Sequence, residues 1–147
     1  AIAGFNAGAK TVTHLFNAMP KPPLDGTAQV AIERADVTIQ IIIDEVHVPN
    51  DLVKETLAKV ANRFVVTNDP IAAAGLGSGT YPFGGMEITV KDGQARRTDG
   101  TLAGGIGTLE RALEIMDSIG IAKEDALASV TTRPCELIGV DYKSLLN

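Results

Sequence analysis

The first part of the chain alternates between short β-branched runs and segments whose apolar residues recur at helical spacing. The runs predict three strands, Lys10 to Phe16, Val37 to Ile43 and Arg63 to Thr67. Between them, Gly26 to Ala35 predicts one helix, and the residues after Asn50 predict another of about three turns. This alternation is typical of βαβ units, so the sequence predicts a parallel sheet covered by helices.

Two segments add detail to this prediction. Val37 to Ile43 (VTIQIII) is too apolar for a strand with one exposed face, so we expect it to be buried on both faces. Asn50 is the predicted N-cap of the helix that follows, and Asp51 places a carboxylate in its first turn. One face of this helix would carry four apolar residues: Leu52, Val53, Leu57 and Val60.

The second part of the chain has a different pattern. Ala72 to Gly79 is rich in small residues, and the runs on either side of Asp92-Gly93 predict an antiparallel β-hairpin. This insert ends in Gly100 to Gly105 (GTLAGG), where glycine permits close backbone approach. Lys123 to Val130 predicts a late helix. The helix before it is predicted by an apolar stripe that Gly120 closes: Ile106, Leu109, Leu113, Met116 and Ile119.

Polar side chains stand at or just beyond the end of each predicted strand. They are His14 and Asn17, then Asp44 and His47, then Asn68 and Asp69. In parallel α/β folds this edge of the sheet binds ligands. There His14 is either a metal ligand or a hydrogen-bonded structural residue, and His47 could donate a hydrogen bond to a substrate oxygen. Asp69 is either a metal-bound general base or part of an Asn-Asp-Pro turn.

Composition excludes several functional classes. The 147 residues carry a formal charge of −5, and no cluster of Lys and Arg offers a surface for nucleic acid or anionic lipid. The apolar runs are far shorter than the roughly 20 residues that span a bilayer. The single cysteine, Cys135, and the lack of a recognisable leader lead us to expect a cytoplasmic protein. Two histidines 33 positions apart argue against a closed all-protein zinc site.

Five motifs in a fixed order change this picture. They are THLFNAM (13–19), IDEVHV (43–48), VVTNDPIAAAG (65–75), YPFGG (81–85) and DGTLAGG (99–105). Together they resemble the C-terminal half of the N-acetylglucosamine-6-phosphate deacetylase family, metal-dependent members of the amidohydrolase superfamily. The resemblance implies one α/β domain over residues 1–147. Its parallel strands would be the sixth to eighth of a TIM-type (β/α)₈ barrel, with a small β-hairpin insert.

The resemblance also implies roles for individual residues. His14 would bind a divalent metal ion, zinc or iron in the first place, and Asp69 would activate the metal-bound water and then protonate the departing amine. The amino-sugar phosphate would be held by Asn17 and the Ala18 backbone, and His47 would contact the sugar. The N-acetyl group would be bordered by Leu102, Ala103 and Gly104. The implied reaction hydrolyses the acetamide to acetate and glucosamine 6-phosphate.

This sequence departs from the family pattern near the implied catalytic residue. Residues 67–70 (TNDP) stand where the family has Thr-Asp-Ala, so one residue is inserted. Alignment from the downstream side makes Asp69 the catalytic residue, whereas alignment from the upstream side places Asn68 there, which could not act as a base. Gly105 also stands where serine is usual.

Other departures concern the metal, the loop before His47 and the phosphate. The family's remaining metal ligands, a Glu and a His, have no counterpart in this chain, so the metal could be absent from the isolated chain. Asp44-Glu45 replaces a usual Asp-Gly, and Pro22 to Gly26 (PPLDG) replaces a segment with a phosphate-binding Arg. A related enzyme acting on a different or non-phosphorylated N-acyl sugar is therefore one alternative.

Length leads to the remaining hypotheses. A complete barrel of this type takes about 250 residues, and the three predicted strands supply less than half of its wall. The leading hypothesis is a deacetylase fragment that is inactive alone and pairs with a missing N-terminal half. The alternative is a non-catalytic α/β module that forms a homo-oligomer through its open strand edge.

Overall fold

The computed structural model describes residues 1–20 and 26–146. The chain is α/β with two sheets. Its helices are α1 (Ile2–Asn6), α2 (Thr27–Glu33), α3 (Asn50–Val60), α4 (Leu109–Ser118), α5 (Lys123–Val130) and α6 (Thr132–Ile138), and a 3₁₀ turn covers Tyr142–Leu145. None of the helices in these ranges combines the length and apolar composition needed to cross a membrane.

The first sheet is parallel, as the alternation predicts. It consists of β1 (Thr11–Val12), β2 (Thr38–Ile41) and β3 (Phe64–Val66) in the order β1-β2-β3. The prediction of a strand over Lys10 to Phe16 is wrong beyond Val12. The backbone turns there because His14 and Phe16 adopt positive φ angles, which a strand does not tolerate.

The two faces of this sheet differ. Side chains alternate along a strand, and the register aligns Val12, Ile39 and Phe64 on one face, where they join the main core with the helices. The other face carries polar atoms: the Thr11 hydroxyl donates to the Thr38 carbonyl at 2.9 Å, and the Gln40 amide donates to the Thr11 hydroxyl oxygen at 3.1 Å. One face is therefore an apolar helix-covered layer, and the other is partly polar.

The second sheet is antiparallel and larger than the predicted hairpin. It contains β4 (Gly79–Phe83), β5 (Met86–Lys91), β6 (Gln94–Arg97) and β7 (Leu102–Gly104) in chain order. The turn between β5 and β6 falls at Asp92 and Gly93, which both have positive φ, as the hairpin prediction requires. The flanking strands were not predicted because Pro82 and the glycines of β7 are unfavourable in strands; both strands lie at sheet edges, where they are tolerated.

The late helices follow the predicted apolar stripe with shifted boundaries. Helix α4 begins at Leu109, not Ile106, because the Thr108 hydroxyl accepts the Arg111 N–H at 3.2 Å and caps the helix. Helices α1 and α6 were not predicted. Helix α6 contains Pro134 in its first turn, where a missing N–H costs little.

Candidate functional site

The loop after β1 places His14 and Asn17 on an unusual backbone. His14, Phe16 and Ala18 all have positive φ angles, of 35°, 72° and 52°. The loop is held by the Leu15 N–H, which donates to the Gln40 carbonyl at 2.7 Å. Within the loop, the Asn17 N–H donates to the His14 carbonyl at 2.9 Å. Positive φ at alternate positions also occurs in backbone turns that bind anions in other proteins. Residues other than glycine are strained at such backbone angles, and strain of this kind clusters at functional sites.

His14 itself is half-buried. Its Nδ1 atom is buried and has no hydrogen-bond partner among the described residues. A buried imidazole nitrogen without a partner is costly unless something outside the described residues satisfies it. This suits a metal ligand, but the described residues hold no group of three or more His, Cys, Asp or Glu side chains that could bind a metal ion.

The loop after β2 builds an Asp–His pair in which His47 is buried and Asp44 is half-buried. The Asp44 Oδ1 atom accepts the backbone N–H groups of Val46 at 3.0 Å and His47 at 2.9 Å. Its Oδ2 atom lies 2.7 Å from His47 Nδ1. Burial acts to raise the pKa of Asp44, but the hydrogen bonds from the His47 ring and from the two backbone N–H groups outweigh it and lower the pKa. Asp44 is therefore a carboxylate at neutral pH.

The same loop is tied to two helices through Glu45. The Glu45 carboxylate accepts the Asn50 side-chain amide at 3.1 Å and pairs with Arg111 of α4 at 2.9 Å. This corrects the capping prediction. The cap position of α3 is Pro49 with no side-chain hydrogen bond. Asn50 is the first helical residue, and its side-chain amide bonds to Glu45 and caps no backbone N–H of the helix. The predicted acidic residue, Asp51, does lie in the first turn.

The loop after β3 contains Asn68 and Asp69, the two alternatives for the catalytic position, and places them in different surroundings. The Asn68 side chain donates to the Gly107 carbonyl at 3.0 Å, so its amide is committed to the fold. Asp69 is exposed and has a positive φ of 42°. Its carbonyl accepts the Gly105 N–H at 2.9 Å. The backbone of this loop therefore pairs with the end of the GTLAGG motif, and the Asp69 carboxylate is left at the surface.

Gly105 shows how closely these segments approach. A Cβ atom at this position would overlap the Asn68 carbonyl oxygen, so only glycine fits. The resemblance implies a serine at position 105 and one residue fewer in the loop that contains Asn68, so glycine at 105 suits the close approach of this loop. Gly107 lies beside the second loop as well, since a Cβ there would be 3.7 Å from the Asp44 Cβ.

The structure brings some of the predicted site residues into contact and places others only at the same edge of the sheet. The loops after β2 and β3 meet through Asn68, Gly107 and Asp44, and the strand β7 that contains Leu102, Ala103 and Gly104 leads into this junction. His14, Asn17 and Ala18 lie after the adjacent strand at the same edge of the sheet. Of the PPLDG segment, residues 22–25 lie outside the described residues, and Gly26 lies within them.

Two contributors were missed by the sequence analysis. The sequence analysis placed Asp44 at a strand end and in an altered Asp-Gly pair but gave it no partner. Its spacing of three from His47 is one at which an Asp side chain can bond both a local N–H and a ring. Gly107 was not considered, and no local pattern distinguishes it from other glycines.

Comparisons with known proteins agree with the motif order. No protein-family model matches the chain. The N-acetylglucosamine-6-phosphate deacetylase of Bacillus subtilis (strain 168) is 32% identical over 132 residues, which cover 86% of this chain and 33% of that protein. This chain therefore spans about a third of that relative's length, and the matching part is C-terminal.

Solved structures show the same relationship. The N-acetylglucosamine-6-phosphate deacetylase from Pasteurella multocida aligns with a TM-score of 0.88 and 27% identity, over 96% of this chain and 38% of that one. A Mycobacterium smegmatis deacetylase variant, solved in complex with N-acetyl-D-glucosamine-6-phosphate, aligns with a TM-score of 0.84 and 32% identity. That alignment covers 94% of this chain and 39% of the other.

Proposed function

Because nearly the whole of this chain corresponds to the C-terminal part of the N-acetylglucosamine-6-phosphate deacetylases, we propose that it carries the sugar-phosphate and proton-transfer part of such a site. Its parallel sheet would then be the sixth to eighth strands of a TIM-type barrel. The observation that carries this proposal is the gathering of the polar residues after all three parallel strands at one sheet edge.

The phosphate end of the substrate would lie against the loop after β1. Support comes from the positive φ angles of His14, Phe16 and Ala18, which also occur in anion-binding backbone turns. The Leu15 and Asn17 N–H groups are bonded to the Gln40 and His14 carbonyls, so other groups of the loop would hold the phosphate. Asn17 adds a side-chain amide that can donate to a phosphate oxygen. His47, held by Asp44, would contact the sugar, and Leu102, Ala103 and Gly104 would border the acetyl group.

Asp69 is the proposed acid–base residue. It would accept a proton from the attacking water and give it to the departing amine. Support comes from the contrast with Asn68, whose amide is bonded to Gly107 and which has no titratable group. Asp69 keeps an exposed carboxylate next to the segment that ends β7.

The described residues do not fit a complete metal site. His14 offers one imidazole with a buried partnerless Nδ1, and no cluster of three ligands surrounds it within residues 1–20 and 26–146. A bound divalent ion would polarise the acetamide carbonyl in the deacetylase reaction, but further ligands would have to come from elsewhere. We therefore propose that the 147 residues bind the sugar phosphate without hydrolysing the acetamide.

The proposal is tested by titrating the chain with glucosamine 6-phosphate and measuring the backbone shifts by ¹H–¹⁵N NMR. Shifts confined to the loops after β1, β2 and β3 are expected, with a weaker response to unphosphorylated glucosamine. Asn17→Ala should reduce the affinity, whereas the control Asn62→Ala, an exposed residue that follows α3, should not. Equal binding of both sugars, or no response in these loops, would contradict the proposal.

Activity provides a separate test. Incubation of the purified chain with N-acetylglucosamine 6-phosphate and zinc or iron(II) should release no acetate. Acetate release that depends on added metal and is lost in Asp69→Asn would show that the chain assembles a working site alone. If instead Asn68→Asp changes activity and Asp69→Asn does not, the catalytic assignment moves to residue 68.

A second candidate is a self-associating module without catalytic function. The observation that favours it is the edge position of β1, which pairs only with β2 among the described residues. Sedimentation velocity over a range of concentrations distinguishes the two. A dimer whose formation is independent of sugar phosphate supports this candidate, and a monomer at all concentrations counts against it.

A further inference from the structure

The Asp44 carboxylate makes three contacts with only two oxygen atoms. Oδ1 accepts two backbone N–H groups, and Oδ2 faces the His47 ring nitrogen Nδ1 at 2.7 Å. The His47 side chain is 3% exposed and that of Asp44 is 15% exposed, so the pair is shielded from water. An ionised carboxylate can only accept hydrogen bonds, so Nδ1 must carry the proton that joins the two residues.

We infer that Asp44 is a positioning residue whose carboxylate holds the His47 ring through its Nδ1–H, so that in the imidazole form Nε2 is the nitrogen that can accept a hydrogen bond. The arrangement resembles the carboxylate–imidazole half of a catalytic triad, in which the carboxylate sets the tautomer and orientation of the ring. It is built locally, because the residues are three positions apart and the backbone bonds to Oδ1 hold the carboxylate in place.

This inference rests on the proposed function for its consequence at the substrate. An Nε2 acceptor takes a hydrogen bond from a donor such as a sugar hydroxyl. It does not donate to a phosphate or carbonyl oxygen unless the ring is protonated. The sequence predicts that His47 donates to a substrate oxygen, whereas this inference has His47 Nε2 accept from a hydroxyl group.

Asp44→Asn is the variant that tests the tautomer. The amide oxygen of the introduced asparagine should keep the two backbone N–H bonds, because rotating it away would place an NH₂ group against two donors. The NH₂ group then faces the ring, so Nδ1 must become the acceptor and the proton must move to Nε2. Asp36→Asn is the matched control, since Asp36 pairs with Arg34 at 2.7 Å, away from His47 in the exposed segment between α2 and β2.

The measurement is ¹⁵N NMR of the imidazoles in the complete chain at a pH where they are neutral. Only His14 and His47 contribute, and His14→Gln assigns the two sets of signals. We expect Nδ1–H for His47 in the natural chain and in Asp36→Asn, and a reversal to Nε2–H in Asp44→Asn. Nε2–H in the natural chain, or an unchanged tautomer in folded Asp44→Asn, would overturn the inference.

Addition of glucosamine 6-phosphate separates this inference from the proposed function. A shift of the His47 Nε2 signal in the direction of an acceptor that gains a hydrogen bond supports both. A reversal in Asp44→Asn with no Nε2 response to the sugar phosphate supports the positioning role and contradicts the substrate contact.

Discussion

The two sheets of this protein bury their side chains in different patterns. The strand β3 is buried at all three positions, and the apolar side chains of the parallel sheet join one large core with the helices. The antiparallel strand β5 alternates, with Ile88 and Val90 buried and Glu87, Thr89 and Lys91 exposed. Its core is small and consists of Ile71, Ala73, Ile88, Val90 and Ala95.

Backbone strain is also distributed unequally. Positive φ angles at residues other than glycine fall mainly in loops of the parallel unit: His14, Phe16, Ala18, Glu45, Ala61 and Asp69. In the antiparallel sheet the described residues show this only at Asp92, in the hairpin turn. A large rigid core can hold strained loops in place. The loops of the parallel sheet are therefore better suited than those of the antiparallel sheet to hold functional side chains in fixed positions.

The largest effect should come from a matched pair of core truncations. Ile39→Ala in the parallel sheet should lower the free energy of unfolding by an amount near the top of the range of about 2–5 kcal/mol for such changes. Ile88→Ala should fall near the bottom, since both side chains are buried but the smaller cluster can collapse around the gap. Urea denaturation measures both, and equal losses would show that the two cores are equally rigid.

A second prediction concerns the contact between Gly105, which follows β7, and Asn68, which follows β3. Gly105→Ala should cost about 3 kcal/mol, because a Cβ atom there overlaps the Asn68 carbonyl oxygen and the backbone must move. Gly107→Ala is the control, with 3.7 Å available to Asp44 Cβ, and should be far milder. Thermal unfolding compares the two.

Deletion of Asn68 gives the same junction a sharper test. If the inserted residue and Gly105 are a matched pair, Gly105→Ser should be better tolerated in the deletion variant than in the natural chain. Additive effects of the two changes on the free energy of unfolding would contradict the pairing.

A smaller effect should appear in acid. The pKa of Asp44 is lowered in the folded chain, so its stabilising contribution is complete above the ordinary Asp pKa of 3.8 and is lost as the pH falls below it. Urea midpoints measured from neutral pH to about pH 3 should therefore decline less steeply in Asp44→Asn than in the natural chain. An identical slope would contradict a lowered pKa of Asp44 in the folded chain.

The smallest effect is a stabilising one. Ala61 ends α3 with φ 51° and ψ −121°, far from the proposed site. Ala61→Gly should raise the free energy of unfolding by about 1 kcal/mol, because glycine adopts this conformation without strain. The control Ala58→Gly, in the exposed interior of the same helix, should lower it by about 1 kcal/mol. Loss of stability in Ala61→Gly would show that this residue is not strained.

Particular residues show how far local pattern reaches. The β-branched run around Ile39 and the apolar stripe of α4 predicted their elements, because each segment's periodicity reflects which face it buries. The Asp92-Gly93 turn was predicted because only residues that tolerate positive φ fit it. The motif order predicted the resemblance that the relatives and solved structures confirm.

The tertiary structure decided the rest. It shortened β1, because the backbone turns at His14 and Phe16, which have positive φ, and the Leu15 N–H then bonds to the Gln40 carbonyl of β2. It added β4 and β7 through pairing partners that compensate for poor intrinsic propensity. It joined Asp44 to His47 and pressed Gly105 against Asn68. The sequence by itself determined the alternation of elements and the chemical groups at the strand ends, since these are local. The partners of those groups depend on backbone approach between distant segments, which only the folded chain determines.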